Sequence, residues 1–175
     1  MSNGPLPLQI EPRKLADRGV HLSGELPLAG FARLAELITQ TAGKVQVWLE
    51  FSRDAKKHAL MHLRLSTRVA MQCQRCLDEA WFPLEQSCRY LVSNSDVEPD
   101  FLPDGFELLQ VGDEPLDLLT MVEDELLLCL PIVPMHQQGE CEFPAGYAAQ
   151  QQGIEEATKS NPFSVLAQLK RDKNP

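Results

Sequence analysis

The fold is decided by residues 61–92, which read MHLRLSTRVAMQCQRCLDEAWFPLEQSCRYLV. Apolar and polar side chains alternate in both halves of this stretch, as they do in a strand that buries one face. Two cysteines, Cys73 and Cys76, separate the halves. The stretch therefore predicts an antiparallel pair of strands with the cysteines at their connection. In the first strand the apolar side consists of Met61, Leu63, Leu65, Thr67, Val69 and Met71.

More strands and a helix are predicted on the N-terminal side of this pair. Residues 20–26 and 45–51 show the same alternation, which indicates two half-buried strands. Between them, apolar residues recur at helical spacing, so residues 28–41 are expected to form a helix.

The C-terminal side is predicted to hold fewer regular elements. Residues 106–111 are expected to form a short strand, and residues 116–130 an amphipathic helix with one apolar stripe. A short C-terminal helix is expected near residues 162–170, after a capping Asn and a Pro. Residues 93–105 and 137–160 are polar with little periodicity, which is typical of mobile loops.

Together these patterns predict an α+β fold. We expect an antiparallel sheet of about five or six strands with the helices packed against it. The length of 175 residues is about that of one domain, so residues 1–175 are expected to form a single domain.

The net charge of −9 is unevenly distributed along the chain. Residues 1–90 carry 12 basic and 9 acidic side chains, whereas residues 91–175 carry 4 and 16. This balance argues against a protein that coats nucleic acid through bulk charge. The acidic half is interpreted either as a solvated region that keeps the protein soluble or as a docking surface for a basic partner. The docking candidates are Asp117, Glu123 and Asp124.

No segment predicts membrane insertion or export. The longest uncharged apolar run, Leu126 to Met135, has ten residues and contains two prolines, whereas a spanning helix needs about 20 apolar residues. The N-terminus shows neither the basic nor the apolar region of a signal peptide. Five cysteines, an odd number, favour a reducing compartment over a disulfide framework. A cytoplasmic protein is expected.

Four residues are candidates for a metal site. Cys73 and Cys76 form a Cys-x-x-Cys knuckle, and a tetrahedral zinc ion needs two more nitrogen or sulfur ligands. The next suitable pair is His136 and Cys141, so the four residues predict a structural zinc site. Two separate thiol loops without metal are an alternative. A redox Cys-x-x-Cys is a third, although such motifs prefer a helix N-terminus and the flanks here look like strands.

No arrangement of residues favours an enzyme. The sequence has no glycine-rich phosphate loop and no nucleophile elbow beside its four histidines. Glu123, Asp124 and Glu125 are consecutive on the predicted helix and point about 100° apart, so we expect a solvated helix face. Cys88 and Cys129 lie on apolar faces and are expected in the core.

Basic and aromatic side chains lie on the polar side of the two central strands and at their connection. Recognition of single-stranded or looped RNA uses guanidinium and aromatic groups on a sheet face. A sheet face kept soluble by charge is an equally good interpretation of the same residues. The predicted RNA contacts are Arg64, Arg68, Arg75, Arg89 and Trp81.

Several of these motifs carry a resemblance to a known family. They are the Cys73–Cys76 knuckle, residues 117–134 (DLLTMVEDELLLCLPIVP), His136 with Cys141, and residues 161–170 (NPFSVLAQLK). With these motifs the chain resembles the YceD family, described as large ribosomal RNA subunit accumulation proteins. The resemblance implies a cytoplasmic bacterial protein that is needed for accumulation or processing of 23S ribosomal RNA and has no known enzymatic activity.

The predicted function is therefore a non-catalytic factor for synthesis, processing or accumulation of 23S ribosomal RNA and for large-subunit assembly. The expected partners are 23S rRNA or its precursor and a basic ribosomal protein or rRNA processing factor, with no membrane and no small-molecule substrate. Structural zinc is the one cofactor expected. The alternative is a zinc-dependent or thiol-based redox module or enzyme, which needs a reactive thiol or an open metal position.

Overall fold

A computed structural model describes residues 2–3, 5–94, 102–112 and 114–141. In this part of the chain, eight strands and three α-helices follow one another. In chain order they are β1 (Ser2–Asn3), β2 (Gln9–Ile10), α1 (Pro12–Asp17), β3 (His21–Pro27), α2 (Ala32–Ala35), β4 (Lys44–Arg53), β5 (Ala59–Gln72), β6 (Glu79–Ser93), β7 (Glu107–Gln110), β8 (Leu116–Asp117) and α3 (Leu118–Cys129).

Six of the strands form one sheet in the order β1-β3-β4-β5-β6-β7. The three central pairings are antiparallel, whereas the edge strands β1 and β7 run parallel to their neighbours. The strands β2 and β8 pair antiparallel in a separate ribbon. The predicted α+β fold with five or six strands is confirmed, and the sheet is mixed at its two edges.

The centre of the sheet is the long hairpin β5–β6. Its strands have 14 and 15 residues and pair without interruption from Ala59 opposite Val92 to Gln72 opposite Glu79. In the connection, Leu77 adopts a positive φ of 67° and its N–H donates to the Cys73 carbonyl oxygen at 3.0 Å. The predicted antiparallel pair with cysteines at its connection is confirmed.

The core is formed between the sheet and the helices. Helix α1 contacts β4 and β5, and α3 contacts β6. Each central strand sends alternate side chains into this core, so β4 buries Val45, Val47, Leu49 and Phe51 completely or nearly so. The alternate side chains on the other side of β3–β6 form an exposed face, called here the outer face.

The helices differ from the sequence prediction in extent. Residues 28–41 do not form one helix, because Phe31 has an extended backbone (φ −101°, ψ 99°) between a 3₁₀ turn at Leu28–Gly30 and the single turn of α2. Helix α3 confirms the helix predicted over residues 116–130. Helix α1 was not predicted, although the Pro at its start is typical of a helix N-terminus.

The expectation of a solvated acidic face on α3 was wrong. Glu123 and Glu125 are each only 8% exposed, whereas Asp124 is exposed. The expectation failed because other elements supply donors to the two buried carboxylates, Arg33 and Leu34 to Glu123 and Tyr90 to Glu125. Such donors are distant in sequence and leave no local pattern.

The chain divides into two compact units, Met1–Glu140 and Cys141–Pro175. Of the second unit, the structure describes Cys141. The predicted C-terminal helix near residues 162–170 lies outside the described residues, as do most of the loops predicted at 93–105 and 137–160. The single domain expected over residues 1–175 stays a prediction. No helix in the described residues is long and apolar enough to cross a bilayer.

Candidate metal centre and exposed sheet face

The structure brings the four predicted metal ligands together. One ligand atom from each of Cys73, Cys76, His136 and Cys141 lies within 4.8 Å of the others. The first two are buried in the β5–β6 connection, and the other two are half-buried after α3. Around a tetrahedral zinc ion, thiolate ligands lie about 3.8 Å apart. The cluster therefore has the composition and spacing of a site that could hold a metal ion.

Hydrogen bonds to backbone carbonyl oxygens connect the two sides of this cluster. The Gln74 N–H donates to the Pro134 carbonyl oxygen at 2.8 Å. The Arg75 guanidinium donates to the carbonyl oxygens of His136 and Gln137 at 3.4 and 3.5 Å. The cysteine connection is thus joined to the segment after α3 by protein contacts alone. Arg75, predicted as an RNA contact, lies at this cluster.

One hydrogen bond sets the orientation of the His136 ring. Its Nε2 lies 3.0 Å from the Glu79 carbonyl oxygen, which can only accept, so Nε2 carries the proton. In the neutral ring the lone pair is then on Nδ1, which lies 3.3 Å from Cys76 Sγ. Ligating histidines in metal sites have such a carbonyl or carboxylate partner on the other nitrogen.

The electrostatics around Cys73 favour the ligand form of its thiol. Burial alone would raise the pKa of Cys73, but backbone N–H groups of Cys76, His136 and Arg75 donate toward the sulfur and lower the pKa to about 5. The Arg75 N–H lies 3.5 Å from this sulfur. A thiolate is the form that binds metals and acts as a nucleophile. Four protein ligands would fill a tetrahedral site, which is typical of structural zinc.

The outer face carries most of the predicted RNA contacts. Strand register places side chains in rows across β3–β6. One row is Ser23, Trp48, Arg64 and Ser87, and the next is His21, Glu50, His62 and Arg89. Arg64, Arg68, Arg89 and Trp81 share this face. Sequence analysis missed Trp48, because its place beside Arg64 depends on the register of β4 against β5.

Trp48 and Arg64 line a groove of about 520 Å³ together with Leu65, Ser66, Glu85, Gln86 and Ser87. The Trp48 side chain is 40% exposed, which is unusual for a large aromatic group on a sheet. Arg64 forms no ion pair within the described residues. The groove therefore offers an aromatic surface beside an arginine that is not held in an ion pair within the described residues, with the Glu85 carboxylate in the same lining.

A second aromatic–cationic pair lies further along the same face. The Arg68 guanidinium carbon is 5.4 Å from the centre of the Trp81 ring, within cation–π distance. Trp81 is 42% exposed. The two exposed tryptophans of the outer face are thus each next to an arginine.

His62 contributes a neutral polar group between the arginines. Burial lowers the pKa of His62, and the charges of Arg64 and Arg89 lower it further. Its Nε2 lies 2.9 Å from Ser87 Oγ. The ring is uncharged at neutral pH, so it adds hydrogen-bonding capacity and no positive charge to this face.

The three docking candidates take part in contacts within the protein. Asp117 caps α3 by accepting from the Thr120 N–H at 2.8 Å, and it also accepts from Gln9. Glu123 accepts from the backbone N–H of Arg33 at 2.7 Å. Asp124 pairs with the same arginine through Nη2 at 2.7 Å, with its side chain 54% exposed. Of the three, Asp124 keeps the most accessible carboxylate.

A buried polar network lies under β6. The Glu125 carboxylate accepts from Tyr90 Oη at 2.5 Å, from Cys88 Sγ at 3.0 Å and from Gln86 Nε2 at 3.0 Å. Burial alone would raise the pKa of Glu125, but these donors lower it, and burial raises the pKa of Cys88 to about 12. Cys88 and the half-buried Cys129 pack in the core, as expected.

Comparisons with known proteins agree with one another. Residues 61–170 match a family described as "Large ribosomal RNA subunit accumulation protein YceD". A protein of that name from Haemophilus influenzae is 37% identical over 178 residues, which cover 98% of this chain and 99% of the relative. No solved structure matches. The chain therefore belongs to the YceD family of large ribosomal RNA subunit accumulation proteins.

Proposed function

We propose that this chain is a non-catalytic cytoplasmic factor for synthesis, processing or accumulation of 23S ribosomal RNA and for large-subunit assembly, and that its outer face contacts the RNA. The family supplies the link to large-subunit RNA. The observation that carries the contact is the placement of two exposed tryptophans, each beside an arginine, on one sheet face.

The charge of the outer face favours stacking over bulk attraction. Arg64, Arg68 and Arg89 are opposed on the same face by Glu50 and Glu85, and Glu25 is paired with Lys44. Such a face has little net charge to hold a duplex by its phosphates. Exposed bases of single strands and loops can instead stack on tryptophan, which contributes about 1–3 kcal/mol per base. The proposed ligand is therefore single-stranded or looped rRNA.

We also propose that the Cys₃His cluster holds a structural zinc ion. The support is the ligand spacing, the lowered pKa of Cys73 and the fixed His136 ring. When bound, zinc would cross-link the β5–β6 connection to the segment after α3 and leave no position for a substrate. This arrangement disfavours the alternative of a zinc-dependent enzyme.

The proposal includes a protein partner with a basic surface, such as a ribosomal protein or an rRNA processing factor. Its support is the acidic composition of residues 91–175, which hold 16 of the 25 carboxylates. Within the described part, Glu123 and Asp124 both pair with Arg33, and Asp124 is the one of the two whose carboxylate is exposed. A partner would thus meet Asp124 at the surface of α3.

Charge reversal on the outer face tests the RNA contact. The double variant Arg64→Glu with Arg68→Glu should weaken binding to labelled single-stranded 23S fragments by at least tenfold in an anisotropy assay at low salt. The matched control is Arg13→Glu with Arg18→Glu, which makes the same charge change at two exposed positions of α1 and its end. Equal affinities for the two double variants would contradict the proposal.

A further inference from the structure

We propose that the groove between Trp48 and Glu85 is a subsite for one unpaired guanine of single-stranded RNA. The inference rests on the proposed function, because it names the base that the outer face would select. RNA binding alone does not explain one feature of this groove. A carboxylate, Glu85, lies in the groove where phosphates would otherwise be attracted.

The position of Glu85 follows from strand register. It faces Ser66 across the β5–β6 pairing, and Ser66 faces Gln46 on β4. Trp48 lies two residues after Gln46 on β4, on the same face of the sheet, and is opposite Arg64. Strand spacing places Glu85 about 10 Å across the sheet from the Trp48 strand. A base stacked on the indole would therefore point one edge toward the carboxylate.

Glu85 has no cation of its own in the described part of the chain. It takes part in no ion pair there, in contrast with Glu25, which pairs with Lys44 on the same face. It is also exposed, so its oxygens are open to a ligand. A carboxylate only accepts hydrogen bonds, and its two oxygens can accept from two parallel donors.

Among the four bases, guanine fits this acceptor pair. Its Watson–Crick edge presents two adjacent donors, the N1–H and the N2 amino group. Adenine and cytosine each present a ring nitrogen acceptor beside one amino donor, and uracil flanks its one N–H with two carbonyl oxygens. These acceptors would face the carboxylate and repel it. Unpaired bases expose this edge in single strands.

The remaining groups of the groove suit the rest of a nucleotide. Trp48 offers its exposed ring for stacking, which is tolerant of base identity. Arg64, next to it, can pair with the phosphate. Ser66 and Ser87 supply hydroxyls that can meet a ribose 2′-OH. In this division Trp48 and Arg64 hold the nucleotide, and Glu85 selects the base.

The test uses the full-length protein and labelled nonamers of uridine with one central guanosine, adenosine or inosine. Inosine lacks only the N2 amino group. We expect the guanosine oligomer to bind at least fivefold more tightly than the other two. Glu85→Gln should remove this preference, whereas Glu36→Gln, which removes an exposed carboxylate at the end of α2, should keep it.

The outcomes separate this inference from the proposed function. RNA binding without a guanosine preference, or a preference that survives in Glu85→Gln, would overturn the guanine subsite and leave the RNA contact standing. Failure of the wild-type protein to bind any nonamer or any longer 23S fragment at low salt would overturn both. A preference lost in Glu85→Gln and retained in Glu36→Gln supports both.

Discussion

Glu125 is a charged side chain kept in the core by three donors. Tyr90, Cys88 and Gln86 all donate to its carboxylate, which is 8% exposed. A buried charge with satisfied hydrogen bonds is tolerated. Cys88 and Gln86 share the oxygen Oε2, whereas Tyr90 donates to Oε1, so removal of the Tyr90 hydroxyl leaves Oε1 without this donor. The residue therefore ties α3 to β6 through polar contacts inside an apolar core.

The first prediction removes the Tyr90 hydroxyl. Tyr90→Phe should lower the free energy of unfolding at pH 7 by about 1–3 kcal/mol, because a buried carboxylate oxygen loses its donor. Thr67→Val, which removes a half-buried hydroxyl that donates to the Lys44 carbonyl oxygen, should cost less than about 1 kcal/mol. Urea unfolding of both variants measures the difference.

The same variant has a pH dependence with a definite sign. The donors hold the pKa of Glu125 below its ordinary value despite burial, which opposes them. Stability from a lowered pKa is present above the unfolded value of about 4.3 and is lost as pH falls through the folded pKa. The cost of Tyr90→Phe should therefore shrink as pH falls below the unfolded value toward the folded pKa. A cost that does not change over the whole acid range in which the protein stays folded would show that Glu125 is not charged in the fold.

The second prediction concerns the metal ligands. Wild-type protein should carry one zinc per chain, and Cys76→Ser should lose it, because a serine hydroxyl is a poor zinc ligand. Cys129→Ser is the matched control, since Cys129 is half-buried in the core and is not part of the cluster. Elemental analysis of the purified proteins gives the stoichiometry. Wild-type protein that stays metal-free after refolding with zinc would refute the structural site.

If the wild-type protein proves to be metal-free, the alternative function as a thiol-based redox module gains support. The lowered pKa of Cys73, about 5, favours the thiolate form of its sulfur. The side chain is completely buried in the fold, and only an accessible thiolate reacts quickly with alkylating reagents. Bound zinc should protect it. Fast alkylation of Cys73 in protein as isolated would therefore favour a redox module over the structural role proposed here.

Sequence analysis was most successful where the residue type itself limits the chemistry, as it does for metal ligands. A Cys-x-x-Cys knuckle is recognisable in any sequence, and its union with His136 and Cys141 could be predicted from ligand preference alone. The burial of Glu123 and Glu125 could not. Their donors come from α2 and β6, and no local pattern reveals a partner that is supplied by tertiary packing.

At the scale of elements, period-two alternation predicted the central strands because one face of each is buried. Prediction from the spacing of apolar residues was less accurate for α2. Its region has helical spacing, but Phe31 is extended and the helix lasts one turn, with Glu123 accepting from its first N–H groups. Short edge strands such as β1 and β8 have two residues each and are too short for periodicity.

The third prediction concerns the β5–β6 connection. Chelation of zinc should increase hydrogen exchange at the Gln74 amide, which donates to Pro134 across the cluster. Amides of β4 and β5 far from the knuckle, such as Val47 and Leu63, should keep their protection because the apolar core holds them. Mass-spectrometric exchange before and after chelation tests this. Global loss of protection would show instead that the metal is required for the whole fold.

Across the whole molecule, the distribution of charge argues against a protein that coats RNA through bulk charge, and it agrees with the proposed selection of exposed bases. The chain has a net charge of −9 and an outer face on which carboxylates oppose arginines. Affinity on such a face has to come from stacking and from a few directed contacts. The alternation within each strand predicts which arginines lie on the outer face. It does not predict Trp48 as the neighbour of Arg64, because that contact depends on the register of β4 against β5.

The fourth prediction is a weak salt dependence of RNA binding. With three arginines available for phosphates on the outer face, the slope of log affinity against log salt should be about −2 for a single strand. Anisotropy titrations from low to moderate salt measure the slope. A slope steeper than about −4 would require phosphate contacts beyond this face.

Photocrosslinking of the full-length protein to precursor 23S rRNA in cells, followed by peptide mapping, shows which surface contacts the RNA. Nucleotide adducts are expected on β4, β5 and β6, with Trp48 and the Arg64 segment among them. Adducts confined to α1 or to the surface of α3, with none on the outer face, would contradict the proposed contact.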